Sequence, residues 1–183
     1  TNLAGAFGVA VSGNLLAIAA FADNAVTLVD VTDPTAPVWL TNLVQGNGPF
    51  TNLTSAYSVA FSTNRLLAIA APNYNAVTLV DAANGAAPVW RAVLRDGVGG
   101  FNDLANPRAV AFSGSILAIA AAVDNAVTLV DVSNPANPLL RSVIKDGLNG
   151  FTNLAGAVTL AFNGNLLVIG ASGDSALTLV DVS

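Results

Sequence analysis

Asn24-Ala-Val-Thr-Leu-Val-Asp30 recurs as Asn75 to Asp81 and Asn125 to Asp131, and a fourth time as Ser175 to Asp181 with Leu177 in place of Val. The closing aspartates stand at 30, 81, 131 and 181, giving spacings of 51, 50 and 50 residues. Self-similarity at this period marks a repeat architecture, in which each unit is one supersecondary piece that buries its apolar faces against its neighbours.

Working outward from the signature, Phe7-Gly-Val-Ala-Val11 and Leu15-Leu-Ala-Ile-Ala-Ala20 are apolar runs separated by Ser12-Gly13-Asn14. Runs this short, joined by a tight-turn signal, predict two strands of a hairpin. After the signature comes a loop punctuated by Pro34 and Pro37, then a fourth strand, Val38 to Val44. Four strands in about 50 residues is the size of one propeller blade. The strands, A to D in order, recur at Tyr57–Phe61, Leu66–Ala71, Ala76–Asp81 and Val89–Arg95, and again at Arg108–Phe112, Ile116–Ala122, Ala126–Asp131 and Leu139–Lys145. The turn Ser62-Thr63-Asn64-Arg65 is one residue longer than its first-unit counterpart and accounts for the 51-residue spacing. Unit four supplies Val158–Phe162, Leu166–Ala171 and Ala176–Asp181 and has no strand D before Ser183. The expected fold is all-β: one propeller domain or propeller segment over 1–183, with repeats at 1–50, 51–101, 102–151 and 152–183 and a last blade lacking its outer strand.

The distribution of side chains predicts which strand lies where. Strands A and B are rich in Ala, Val and other small residues, as crowding near an axis requires, and are apolar on both faces because each blade is sandwiched. Arg91, Arg95, Arg141 and Lys145 are on D strands, where an outer edge is kept from pairing by charge. Between D and the next A run Gln45 to Phe50, Asp96 to Phe101 and Asp146 to Phe151, Gly-rich and followed three residues on by Leu53, Leu104 or Leu154. Each Phe and Leu is expected to plug the junction between successive blades.

Composition agrees with strands and turns. Of the 183 residues 54% are hydrophobic and 9% charged, and mean hydropathy is +0.65. All 11 acidic residues are Asp, which suits turns and strand ends, whereas Glu suits helix surfaces, so helix is not expected. Apolar runs are interrupted too often for a membrane-spanning helix. A net charge of −5 argues against nucleic acid or anionic membrane surfaces as partners. Without Cys there is no disulfide framework. A chain that starts at Thr1 and has no Met is expected to be a processed form or a segment of something longer.

The run from Arg95-Asp-Gly-Val-Gly-Gly-Phe101 through Asn106-Pro-Arg-Ala-Val-Ala-Phe112, continuing to Asp124-Asn-Ala-Val-Thr-Leu-Val-Asp131, resembles the repeats of bacterial secreted and surface β-propellers of the YVTN and LVIVD type. The resemblance extends over essentially the whole chain and implies a propeller platform on secreted or envelope proteins, with no single shared activity. Two departures stand out: Gln45 replaces the loop Asp in unit one, and four units are fewer than the six to eight blades common in such propellers.

For chemistry the inventory is thin. With no His, Cys or Glu, a general base would have to be Asp, Lys145 or Tyr, and a His/Cys metal site is excluded. No nucleophile elbow, phosphate loop or dinucleotide fingerprint is present. Asp30, Asp81, Asp131 and Asp181 are read as turn acceptors, being on different blades and too far apart to share an ion. The Asp96 and Asp146 loops are read as structural turns, with calcium as the weaker reading because too few carboxylates alternate there. Asn52-Leu-Thr54 is a glycosylation sequon that has meaning only in a glycosylating host. Asp23, Tyr74, Asp124 and Asp174 precede the four signatures and share one rim, where they are candidate interaction residues. Ala176, Leu177, Thr178, Leu179, Val180 and Asp181 form an expected open edge, without Lys, Pro or a bulge signal, to which other chains could add.

These features favour a non-enzymatic extracellular or cell-surface module without cofactor, which binds protein, either copies of itself in an oligomer or filament or the rest of a longer chain. The alternative is a segment of a larger enzymatic propeller, lactonase-like or quinoprotein-like, whose catalytic residues lie elsewhere.

Overall fold

In a computed structural model, which describes residues 2–183, the chain is all-β apart from one 3-10 turn at Pro72–Tyr74. Blade one is β1 (Ala6–Ser12), β2 (Leu15–Ala20), β3 (Ala25–Asp30) and β4 (Val38–Val44). Blade two is β5 (Ser58–Phe61), β6 (Leu66–Ala71), β7 (Ala76–Asp81) and β8 (Val89–Arg95). Blade three is β9 (Pro107–Ser113), β10 (Ile116–Ala121), β11 (Ala126–Asp131) and β12 (Leu139–Lys145). Blade four has three strands, β13 (Ala157–Asn163), β14 (Leu166–Ala171) and β15 (Ala176–Asp181). Every blade is an antiparallel meander in chain order.

The strand boundaries read from the repeat hold to within a residue or two. The short helical turn at Pro72–Tyr74 departs from a chain of strands and turns alone; Pro72 presets its first position, and the chain exits through Asn75 in the left-handed region. The extra residue in the second A–B turn is absorbed by Arg65 at φ +59°, with the Ser62 hydroxyl oxygen accepting the amide of Leu66.

Alternation within each strand divides its side chains between two neighbours. In strand B of blade two, Leu67 and Ile69 face blade one, whereas Leu66, Ala68 and Ala70 face blade three. Strand C follows the same rule: Val77 and Leu79 point to blade three and Val80 to blade one. Three apolar clusters result, one at each blade junction. Leu53, Leu104 and Leu154 are fully buried, one in each junction, with Phe50, Phe101 and Phe151 packed beside them.

Blade meets blade chiefly through the A strands, β1 to β5, β5 to β9 and β9 to β13, so strand A is the inner strand. The approach is tight: a Cβ on Gly8 would stand 2.5 Å from the carbonyl oxygen of Tyr57. β1 and β13 make no comparable contact, so the four sheets form an open series and not a closed ring.

The D strands differ from expectation in one respect. Arg91 and Arg141 turn back to the aspartates that end strand C, Asp81 at 2.6 Å and Asp131 at 3.7 Å, and so serve as partners for those carboxylates as well as edge charges.

Because Leu104 is completely buried at the central junction, Leu104→Ala should lower unfolding stability by about 2–5 kcal/mol. Urea denaturation followed by near-UV circular dichroism checks this.

Candidate functional site

Two regions gather the candidate side chains: the rim where the B–C turns meet the D–A loops, and the outer faces of the two terminal blades.

On the rim, three of the four candidate residues sit at equivalent positions and have the same hydrogen-bond role. The carboxylate of Asp23 accepts the amide of Ala4, that of Asp124 the amide of Ala105, and that of Asp174 the amide of Ala155, at 2.6–2.8 Å. Each ties its own B–C turn to the loop entering the same blade. Tyr74 breaks the pattern: its hydroxyl lies 3.4 Å from the side-chain amide nitrogen of Gln45, and the neighbouring Asn73 donates to the Ser55 hydroxyl.

A second layer of clamps joins one blade to the next, and sequence reasoning missed it. Asn24, Asn75 and Asn125 begin the signature with φ of +51° to +54°, a region Asn tolerates better than most residues. Each directs its side-chain oxygen to the entry loop of the following blade, accepting the amides of Ser55, Asn106 and Gly156 at 2.7–2.9 Å. The signal was present in the sequence: Asn holds this place in the three units that have a successor, and Ser175 in the fourth.

The loop carboxylates of Asp96 and Asp146 accept the amides of Leu104 and Leu154 at 3.1 Å, which fixes the plugging leucines. Gln45 does the same for Leu53 at 2.6 Å, so the departure of unit one conserves the bond. Asp30, Asp81, Asp131 and Asp181 each accept the amide two residues ahead. Among the described residues, no three Asp side chains converge on a point that could hold a metal.

Near the axis, Phe7, Tyr57 and Arg108 occupy one position at the start of successive A strands. Tyr57 stacks on Phe7 at 4.7 Å, Phe21 meets both rings edge-on, and Arg108 lies 4.9 Å over Tyr57.

Several ionisation equilibria are displaced. The hydroxyl and amide of Thr32 hold Asp30 below the ordinary carboxylate value, and those of Thr35 do the same for Asp33. Asp81 is lowered first by its bond from Arg91 and then by the amide of Ala83; Asp131 is lowered by the amide and hydroxyl of Ser133. Lys145 is raised by its 2.6 Å bond to Asp103, which keeps it an ammonium and a poor base.

The terminal faces are the largest irregularity. The face of blade one that has no neighbour carries Val9, Val11, Leu16, Ile18 and Val29; that of blade four carries Ala161, Leu166, Val168, Leu177 and Leu179. Val9 is 66% exposed where its equivalents Val59 and Val110 are 7% and 6%, and Leu179 is 61% exposed where Leu28 and Leu79 are 0%. On blade four the open face adjoins the unpaired edge of β15, Ala176–Asp181.

Stacked antiparallel blades of this kind, with inner A strands and plugged junctions, define a propeller-type repeat protein. Residues 5–43 and 106–145, which are units one and three, match the LVIVD repeat family. In these two units and in its fold the chain is similar to LVIVD-type repeat proteins. Among solved structures it is similar to the computationally designed Ika4 protein, with TM-score 0.65 and 18% identity over 98% of this chain and 92% of that one. It is also similar to hydrazine synthase of Kuenenia stuttgartiensis, with TM-score 0.73 and 17% identity over 100% of this chain, and to a chain of a nidogen/laminin complex, with TM-score 0.68 and 14% identity. This chain spans 47% of the former and 61% of the latter. At such identities the likeness shows the fold alone. A comparison with curated proteins finds no match by sequence.

Two predictions follow from the clamps and the displaced carboxylates. Asn125→Gly keeps the left-handed backbone comfortable and removes only the inter-blade acceptor, so it should cost about 1 kcal/mol of stability in urea titration. Because the folded values of Asp30, Asp33, Asp81 and Asp131 lie below the reference 3.8, their contribution is present above that pH and is lost as pH falls through the folded values. The urea midpoint should therefore fall on acidification below pH 3.8, and Arg91→Gln, which removes the largest influence on Asp81, should make that fall shallower. The contribution of Lys145 has the opposite sense, present below 10.5 and lost as pH rises through its folded value.

Proposed function

We propose that this chain is a non-enzymatic, propeller-type interaction and structural module that self-assembles and is displayed outside the cell or on its surface. One observation carries the reading: the two terminal blades leave broad apolar faces uncovered. Repeat proteins that stay monomeric cap their ends with polar residues. Here the outer faces of blades one and four carry the Val, Leu and Ile that bury the internal junctions. Low charge elsewhere leaves little to keep copies apart.

The side-chain chemistry supports a non-enzymatic role. All 11 aspartates accept hydrogen bonds that fix turns, loops or ion pairs; ten accept a backbone amide, and Asp103 holds Lys145. The rim residues Asp23, Tyr74, Asp124 and Asp174 remain a candidate contact zone for protein partners, and the nidogen/laminin structure supplies a propeller-type neighbour that occurs in a protein complex. The unpaired β15 edge is a second place for a partner, which would supply the missing strand D from a neighbouring molecule or from residues outside this segment.

One comparison favours a second reading. Because the chain aligns along its full length with under half of the hydrazine synthase chain, it can be a segment of a larger enzymatic propeller whose site lies on other blades. Adjoining repeats bearing His and Glu on the same rim would support that reading.

Multi-angle light scattering at micromolar concentration and above should return a mass greater than the 18.3 kDa of one chain. A monodisperse 18.3 kDa particle would remove the self-assembling reading.

A further inference from the structure

We infer that the open face of blade four docks onto the open face of blade one of a second copy, head to tail, recreating the junction that blades one, two, three and four already make within the chain. The inference rests on the self-assembling reading above and specifies its contact.

The two faces are the separated halves of one interface. At each internal junction, the forward face of one blade presents the second and fourth residues of strand C, and the backward face of the next presents the second and fourth residues of strand B. Blade four keeps the forward pair as Leu177 and Leu179, and blade one keeps the backward pair as Leu16 and Ile18. No charged side chain interrupts these positions.

A knob and an empty socket match across the same faces. Leu53, Leu104 and Leu154 are wholly buried as junction plugs, each in the entry loop of its blade. Leu3 holds that place in blade one, in Asn2-Leu3-Ala4-Gly5 against Asn153-Leu154-Ala155-Gly156, yet is 40% exposed, since within residues 2–183 no blade packs against that side. On the forward face of blade four a shallow depression is lined by Thr159, Gly170, Ala171, Ser175 and Leu177. These residues are the equivalents of Ala109, Ala120, Ala121, Asn125 and Val127 of blade three, of which Ala109, Ala120 and Val127 pack in one cluster with Leu154. Leu3 of a second copy is the side chain that fits the position. The face is also fitted within itself: Thr159, larger than its counterparts, is met by Gly170, where a Cβ would come within 2.3 Å of the Thr159 hydroxyl oxygen.

One element of the junction is missing. Ser175 replaces the Asn whose oxygen caps the next entry loop, and the amide it would reach belongs to Gly5, at φ +63° like Gly156 at +64°. The intermolecular contact therefore lacks a clamp that the three internal junctions have.

A head-to-tail contact is heterologous, giving a ring if the rotation closes and a fibre if it does not. The contact itself is tested by blocking one face at a time in the full chain. Val9→Arg and Leu179→Arg change exposed residues, and a retained far-UV circular dichroism spectrum and cooperative urea unfolding confirm that each variant folds. Each variant alone should sediment as a monomer, with self-association weakened at least about a hundred-fold, because every head-to-tail contact contains one blocked face. Mixed one to one, they should form a heterodimer of twice the monomer mass and nothing larger, since each supplies the intact face that the other lacks. Ser175→Asn in the otherwise unaltered chain should tighten association by about three- to ten-fold. If either single variant still self-associates as the unaltered chain does, the copies meet like face to like face and the head-to-tail contact is wrong while self-assembly stands. If the unaltered chain is monomeric, both the contact and the self-assembling reading fail.

Discussion

A blade of this protein is a thin sheet with two apolar faces, and neither can be left in water without cost. Val, Leu, Ile and Ala alternate along strands B and C so that each residue serves one neighbour or the other. Burying the forward set of one blade buries the backward set of the next, so the junction and not the blade is the unit of stability. Inner Gly and Ala positions on strand A, the plugging leucines and the absence of charge from both faces all follow from that requirement. The constraint also explains why the ends of the chain are its most chemically distinctive regions: each has one face and half a junction.

Polar groups support the apolar junctions. Asn at the head of the signature links consecutive blades, Asp or Gln in the D–A loop fixes the plug, and Asp before strand C fixes the turn. Three kinds of side chain thus hold loops at three separations in sequence, and few are left over. The stack of Phe7, Tyr57 and Arg108 shows how the same inner position is filled by different chemistry in successive units without disturbing the backbone.

Strand positions, the extra turn residue at Arg65 and the role of Leu53, Leu104 and Leu154 were legible in the sequence because they depend on local alternation and on the period of the repeat. The roles of Asn24, Asn75 and Asn125 were not, since their partners lie 31 residues away on another blade and strand patterning carries no information about that offset. The pairing of Arg91 with Asp81 was hidden for a related reason: the bulge between Leu79 and Val80 alters which residues of strands C and D lie side by side. Gln45 departs from the loop Asp of the other units and keeps its bond, because what the loop needs is an oxygen within reach of the Leu53 amide, which either side chain can supply.

Contacts that run only between nearest neighbours also order the way the molecule loosens. β6, β7, β10 and β11 are covered on both sides, whereas β1 and β15 each have a side in solvent and blade four lacks a strand. Local opening in such a series starts where a unit has one neighbour and moves inward, as in a one-dimensional chain of coupled elements. In the single chain, amide protection should rise from both ends towards the middle two blades, so the surfaces open to a partner are also the least rigid.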